Sequence, residues 1–280
     1  MLLSSYNKAK AIIKHYGTGY YRATFLFPKK IREATWIYYQ FLRTVDEFVD
    51  DASIADHENK FTDFEIEWRK AEQGNSTTPF LNEYIYVMKE YSIPKEYTDV
   101  FLRSMEQDLT VSRYPTYKDL ENYMYGSAVV VGYTMSHIVG FHEGALPYAR
   151  ALAEAFQMTN FLRDIKDDYD ERGRIYIPQE DLARFGVTER HFKEKVVDEA
   201  WIALMRFEIQ RTRALYEKGV HGISFLEPKG RRAIYAAALV YKEILDGIEK
   251  NMYDVFSQRI VVSPFRKTVL LLKSLWYKSQ

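Results

Sequence analysis

Five side chains of this sequence have the types and spacing to do metal–phosphate chemistry. Asp46 and Asp50 lie four residues apart in Arg43-Thr-Val-Asp46-Glu-Phe-Val-Asp50. On a helix they stack on one face. Arg43 and Tyr39 continue that polar stripe, and Phe41, Leu42, Val45, Phe48 and Val49 cover much of the rest. A second ladder follows in Gln157-Met-Thr-Asn160-Phe-Leu-Arg-Asp164-Ile-Lys-Asp-Asp168. Its Gln157, Asn160, Asp164 and Asp168 fall at i, i+3, i+7 and i+11, one face of one helix. Taken singly, either run reads most simply as a solvated charged face. Like charges at i,i+4 repel, however, and more strongly when desolvated. Two such ladders beside apolar residues call for a counter-ion from outside. A hard divalent cation suits them. Mg²⁺ takes carboxylate and amide oxygens, keeps several waters, and is typically held by one or two carboxylates plus substrate phosphates. Mn²⁺ could stand in for it.

Other chemistries lack their residues. A di-iron bundle needs Glu-x-x-His on two helices, and His15, His57, His137, His142, His191 and His221 form no ligand spacing. The chain has no cysteine, so thiolate nucleophiles and zinc–thiolate sites are absent. Gly17-Thr18-Gly19 lacks the rest of a phosphate-cradling loop. Lys plus Arg total 39 and Asp plus Glu total 39, a balance that argues against nucleic acid as a partner.

The elements that must hold these ladders are helical. All eight prolines, Pro28, Pro79, Pro94, Pro115, Pro147, Pro178, Pro228 and Pro264, sit where a periodic segment begins. Proline is tolerated in a first helical turn and disruptive further in. Between them run stretches rich in Ala, Leu, Glu, Lys, Tyr and Phe, with no alternating strand pattern. Residues 92–96 and 114–119 read as helix junctions and 74–78 as a polar loop. The 280 residues show no repeat and no linker, so the expectation is one all-α domain, 1–280, of about ten helices.

No apolar run reaches the 18 or more residues a membrane span needs. Met1–Tyr16 is threaded with Lys8, Lys10, Lys14 and His15 and does not read as a secretory signal. A cytoplasmic protein is expected. The segment 265–278 mixes Lys and Arg with Leu and Trp, as interfacial helices do. It reads either as a peripheral contact with the bilayer surface or as an ordinary docked terminal helix. Nothing in the sequence specifies an oligomeric state.

The two ladders resemble the paired aspartate-rich motifs of the squalene/phytoene synthases. The resemblance runs nearly the whole chain. It takes in Tyr20-Tyr-Arg-Ala-Thr, Ile31-Arg-Glu-Ala, Met105-Glu-Gln-Asp108-Leu and Tyr123-Met-Tyr-Gly-Ser-Ala-Val-Val-Val-Gly132. It closes with Gly173-Arg-Ile-Tyr-Ile-Pro178, Tyr241-Lys-Glu-Ile-Leu-Asp246 and Tyr253-Asp-Val-Phe-Ser-Gln-Arg259. It implies an isoprenoid-synthase fold, a helical bundle around a central cavity. It also implies head-to-head joining of two allylic prenyl diphosphates through a cyclopropyl diphosphate. By the same resemblance, Asp46, Asp50, Asn160, Asp164 and Asp168 match Mg²⁺-binding positions. Arg43, Arg163 and Arg259 match basic positions that contact or support diphosphate, and Gln157 a polar cavity position. Tyr123 and Tyr241 match tyrosines near the reacting carbons, so Tyr123, Tyr241 and Arg163 stand as the catalytic set. Tyr20 and Arg22 join Arg43, Gln157 and Arg259 as substrate-binding candidates. The chain has 23 tyrosines, and packing is the competing role for any one of them.

Two departures stand out. Thr18-Gly19 precedes Tyr20 where the family usually carries a phosphate-contacting Lys or a Ser/Thr pair, and Arg22 is the candidate substitute. Ala128-Val-Val-Val-Gly132 replaces the usual Ala-Gly-Thr-Val-Gly, adding bulk near the cavity. Gly173-Arg-Ile-Tyr-Ile-Pro-Gln-Glu-Asp-Leu looks like the phytoene synthase version of its motif. The expected product is therefore phytoene, from two C20 diphosphates without NADPH. The alternatives are a dehydrosqualene- or squalene-type enzyme joining two C15 chains, and a non-catalytic relative acting in binding or assembly. Head-to-tail synthases and cyclases fit the Asn-x-x-Arg-Asp arrangement poorly.

Overall fold

The computed structural model describes residues 2–50 and 56–277. Its helices in chain order are α1 (Leu2–Tyr16), α2 (Thr18–Thr24), α3 (Lys29–Asp50), α4 (His57–Glu72) and α5 (Pro79–Glu90). Then come α6 (Lys95–Gln107), α7 (Tyr117–Met124), α8 (Val130–Val139), α9 (Leu146–Arg163) and α10 (Ile165–Arg172). The last are α11 (Gln179–Phe185), α12 (Glu189–Glu194), α13 (Glu199–His221), α14 (Pro228–Lys250) and α15 (Pro264–Ser274). No strand occurs among the described residues, and the only ladder contacts are two isolated bridges, Arg113 to Ile175 and Phe141 to Leu226.

The prolines do what their spacing predicts. Pro79, Pro147, Pro228 and Pro264 occupy first-turn positions of α5, α9, α14 and α15, where the missing N–H costs nothing. Pro28, Pro94 and Pro178 immediately precede α3, α6 and α11, and Pro115 lies just before the Thr116 cap of α7. The segments number more than the ten expected because several long helices are interrupted. A π-helical turn, Tyr125–Val129, joins α7 to α8. The second ladder is likewise not one helix. It breaks at Asp164, whose backbone leaves the helical region (φ −100°, ψ 12°) between α9 and α10.

The core lies in two halves. One gathers Phe41, Phe61, Trp68, Tyr84 and Phe101 from α3 to α6, with Phe41 and Tyr84 stacked at 4.3 Å. The other gathers Leu162, Trp201, Leu204, Ile209, Tyr216 and Leu245 from α9, α13 and α14. Burying each such large side chain contributes about 1.5–3 kcal/mol. Between the halves, α3, α8, α9 and α14 leave a cavity of about 280 Å³.

Candidate active site

Each wall helix gives the cavity one stripe at helical spacing. On α9 the stripe is Ala149, Leu152, Ala153, Phe156, Gln157 and Asn160, and on α3 it is Thr35, Tyr38, Tyr39 and Leu42. Ala233, Ile234 and Ala237 come from α14, and Ser127 to Val139 from the π turn and α8. These stripes give the cavity a direction. Asn160, Leu42 and Tyr39 stand at the end nearest the aspartates, and Ala145, Val139 and Ala233 at the other. Small residues keep it open. A Cβ on Gly132 would meet the Ala153 Cβ at 2.9 Å. The π turn depends on Gly126, where a Cβ would lie 1.8 Å from the Ser104 Oγ. Such turns inside helices are frequent at functional sites.

The wall is overwhelmingly apolar, and its hydroxyls are mostly tied back. Thr24 donates to the Tyr21 carbonyl at 2.7 Å, Thr35 to Ile31 at 2.8 Å and Ser136 to Gly132 at 2.9 Å. Thr24 also accepts from the Trp36 indole N–H at 2.9 Å. Such a chamber excludes water from whatever reacts in it.

Aromatic rings guard the polar end. Tyr20 and Tyr241 lie 4.8 Å apart, and Phe156 packs 4.9 Å from Tyr241 and 6.1 Å from Tyr20. Burial, then the neighbouring Tyr241, pushes the Tyr20 phenol well above its usual range, so it stays neutral. Tyr241 also lies within electrostatic reach of Arg163. Burial raises Tyr39 too, and its hydroxyl lies within electrostatic reach of both Tyr241 and the Arg43–Asp46 pair.

Every described aspartate of the two ladders has an arginine beside it. Arg43 donates from Nη1 to Asp46 Oδ2 at 2.5 Å and from Nε to Glu47 at 3.3 Å. Arg172 approaches Asp168 at 3.6 Å. Asp164 is gripped from two sides. Arg163 forks onto both its oxygens, with Nε to Oδ1 at 2.7 Å, and Arg259 does the same at 2.8 and 3.0 Å. Burial alone would raise the Asp164 carboxyl, but the two guanidinium groups outweigh it and hold the carboxyl below its usual range. The Asp50 side chain lies outside the described residues.

The donor chemistry fits Mg²⁺. Asn160 Oδ1 is buried on the cavity wall without a hydrogen-bond partner, while the Asn160 amide donates to Gln157 at 3.4 Å. Asp164 and Asp168 follow one and two turns later. Among the described residues no three acidic or histidine side chains converge into a ready-made cage. An incomplete set of hard oxygens suits a cation that completes its shell with water and substrate phosphate.

Two candidates sit elsewhere. Tyr123 is buried outside the cavity lining, its hydroxyl donating to Asp108 Oδ2 at 2.7 Å and its ring among Tyr114, Phe161 and Tyr176. That cluster lies under the second ladder: Arg174 donates to the Asp108 carbonyl at 2.9 Å, and the Arg174 amide to the Asp168 carbonyl at 2.9 Å. Arg22 is exposed and bonded to α15, through the Pro264 carbonyl at 3.2 Å and the Thr268 hydroxyl at 3.3 Å.

Sequence reasoning missed Lys267. From α15 it donates to Thr18 at 3.1 Å. Burial, then the charges of Arg22 and Arg163, lowers its ammonium below the usual range. Among the described residues Lys267 has no carboxylate partner of its own there, and an anion would suit it. No local signal marks Lys267, because its hydrogen-bond partner Thr18 lies 249 positions earlier in the chain.

A helical cavity with aspartate ladders, arginines and guarding aromatics at one end defines a prenyl synthase-like enzyme. The comparisons agree. The family model for squalene/phytoene synthases matches residues 13–266. The 15-cis-phytoene synthase of Synechococcus elongatus is 32% identical, covering 95% of this chain and 91% of that protein. The chloroplastic phytoene synthase of Daucus carota is 31% identical over 97% of this chain and 70% of its own. A dehydrosqualene synthase solved with a ligand superposes with TM-score 0.90 at 27% identity, covering 98% of this chain and 96% of that one. This chain belongs to the squalene/phytoene synthase family, and it is a prenyltransferase with the all-α isoprenoid-synthase fold.

Proposed function

We propose that the chain condenses two geranylgeranyl diphosphates head to head, through a cyclopropyl diphosphate, to phytoene, with Mg²⁺ and without NADPH. The length of the cavity carries the choice of C20. From Asn160 to Ala149 is eleven residues of α9, about 16 Å at 1.5 Å per residue. The lining continues to Ala145, a further four residues or about 6 Å. An extended isoprene unit spans roughly 5 Å at ordinary bond lengths. Three units therefore end near Ala149, and the space beyond it accommodates a fourth. The phytoene synthase relatives support the same reading. The runner-up, joining two C15 chains, draws on the likeness to the dehydrosqualene synthase.

Mg²⁺ held by Asn160, Asp164 and Asp168, with Asp46 and Asp50 opposite, would supply the Lewis acidity that lets an allylic C–O bond ionise. The remaining roles belong to the chain. Arg43, Arg163, Arg259 and Lys267 orient and neutralise diphosphate. The rings of Tyr20, Tyr39, Phe156 and Tyr241 offer π faces to an allylic cation without attacking it. Gln157 fixes the polar end, and the apolar wall keeps water from quenching the cation. Tyr123 acts from behind, bracing Asp108 beneath the second ladder. Released diphosphate or Tyr241 accepts the final proton.

A peripheral membrane contact completes the reading. No helix of the described residues is long and apolar enough to cross a membrane. On α15 and just after it, Phe265, Leu272 and Trp276 are exposed at i, i+7 and i+11, while Leu270 and Ser274 are buried on the other side. That outward stripe suits the lipid surface where such substrates and products partition.

The stoichiometry of diphosphate release tests the reaction class. Two diphosphates should appear per hydrocarbon formed, and none after chelation of Mg²⁺. One diphosphate per coupling, with the other retained on an acyclic prenyl chain rather than on a cyclopropane, would mean head-to-tail chemistry instead.

A further inference from the structure

The two guanidinium forks on Asp164 place four N–H donors against its two oxygens. An ionised carboxylate offers about four lone-pair sites, so its capacity is filled by protein. Asp46 and Asp168 likewise have Arg43 and Arg172 as neighbours. Resting on the functional reading above, we propose that these arginines serve in the free enzyme as counter-ions of the aspartates, so that cation and diphosphate bind as a pair. Each ligand frees the group that the other needs.

The electrostatics run in both directions. A dication arriving alone meets Asp164 already flanked by two positive charges and must displace at least one fork. Diphosphate arriving alone meets Arg163 and Arg259 already engaged with a carboxylate. When both arrive, the guanidinium groups turn to phosphate oxygens and the carboxylate turns to the cation, so no charge is left unmatched. Arg259 is the mobile partner by burial. Its side chain is 54% exposed, against 16% for Arg163 and 18% for Asp164. It lies in the segment after α14 and also approaches Asp167 at 3.9 Å, so it can swing without unpacking the core. Coupling of this kind is reciprocal by thermodynamic necessity, and typical couplings are about 5- to 150-fold.

The test uses inorganic pyrophosphate and Mn²⁺ as separate probes of the whole chain. With all metal chelated, Asp164→Asn releases both arginines, so calorimetry should find pyrophosphate bound at least about fivefold more tightly than by the parent. In the absence of phosphate, Arg259→Gln relieves one fork, so electron paramagnetic resonance should find Mn²⁺ bound more tightly by a similar factor. Arg259→Gln also stands alone if Asp164→Asn fails to fold, because its side chain is at the surface. A residue that merely contacts diphosphate would leave the Mn²⁺ affinity unchanged, and that outcome overturns the proposal, as does unchanged or weaker pyrophosphate binding by a folded Asp164→Asn. If these shifts are missing while the parent still makes hydrocarbon, the functional reading survives and the counter-ion exchange does not. Failure of the parent to bind pyrophosphate even with Mg²⁺ overturns both.

Discussion

If the proposed C20 substrate is the right one, replacing Ala149 by phenylalanine should shift the preference towards C15. Ala149 belongs to the α9 stripe that lines the cavity, about 16 Å along the helix from Asn160. An aromatic ring there would occupy the space that the fourth isoprene unit needs and leave the first three untouched. That unit contributes five carbons. At about 0.8 kcal/mol for each buried carbon, complete loss of its burial amounts to about 4 kcal/mol, or nearly a thousandfold. A flexible tail can fold back and recover part of this, so kcat/KM for geranylgeranyl diphosphate should fall roughly a hundredfold. The value for farnesyl diphosphate should stay within about threefold of the parent, a difference of under 1 kcal/mol. Because the ring enters open space, thermal stability should change by less than the 1–3 kcal/mol usual for overpacking. The assay is steady-state kinetics with each diphosphate, read as extracted hydrocarbon. Equal losses for both substrates, or an unaffected C20 rate, would refute the assigned direction of the cavity.

Three further outcomes follow from particular contacts. Asp46→Ala should abolish turnover yet shift the unfolding midpoint by under about 1 kcal/mol, since its pair with Arg43 is partly exposed; a variant that stays active makes this carboxylate structural. Glu208 is fully buried and shares Arg211 with Asp181, and burial pushes its carboxyl from the ordinary 4.5 up to about 8. A raised folded value means that the native state binds this proton more tightly, so the contribution is full below pH 4.5 and is lost as pH rises towards 8. Glu208→Gln should flatten that part of the stability–pH curve in urea titrations, and an unchanged slope would show that other groups set it. Replacing Phe265, Leu272 and Trp276 together by serine should reduce flotation with liposomes, and equal recovery of both proteins would leave α15 an ordinary docked helix.

The fold was largely legible because its punctuation is local. Proline disrupts a helix beyond its first turn, so eight prolines mark eight helix starts, and the i,i+4 spacing of the aspartates marks the faces that matter. The interruptions were not legible. The break at Asp164 and the π turn at Tyr125–Val129 coincide with long-range contacts: the grip of Arg259 on one, the close approach of Gly126 to Ser104 on the other. Site membership divides in the same way. Tyr20, Gln157 and Asn160 line the cavity, Tyr241 packs against Tyr20, and Arg163 and Arg259 both grip Asp164. Tyr123 has the right motif, yet its hydroxyl is spent on Asp108. Lys267 has no motif and reaches Thr18 only because α15 folds back over α14 and α2.

In the reaction proposed above, two C20 diphosphates join head to head and the last cation ends by losing a proton. Mass and NMR analysis of the hydrocarbon made from geranylgeranyl diphosphate with Mg²⁺ alone tests it most directly. The expected product is a C40 hydrocarbon with a central double bond, formed equally well without NADPH. A C30 product made from farnesyl diphosphate at higher catalytic efficiency, or a saturated central bond that appears only with NADPH, would contradict it.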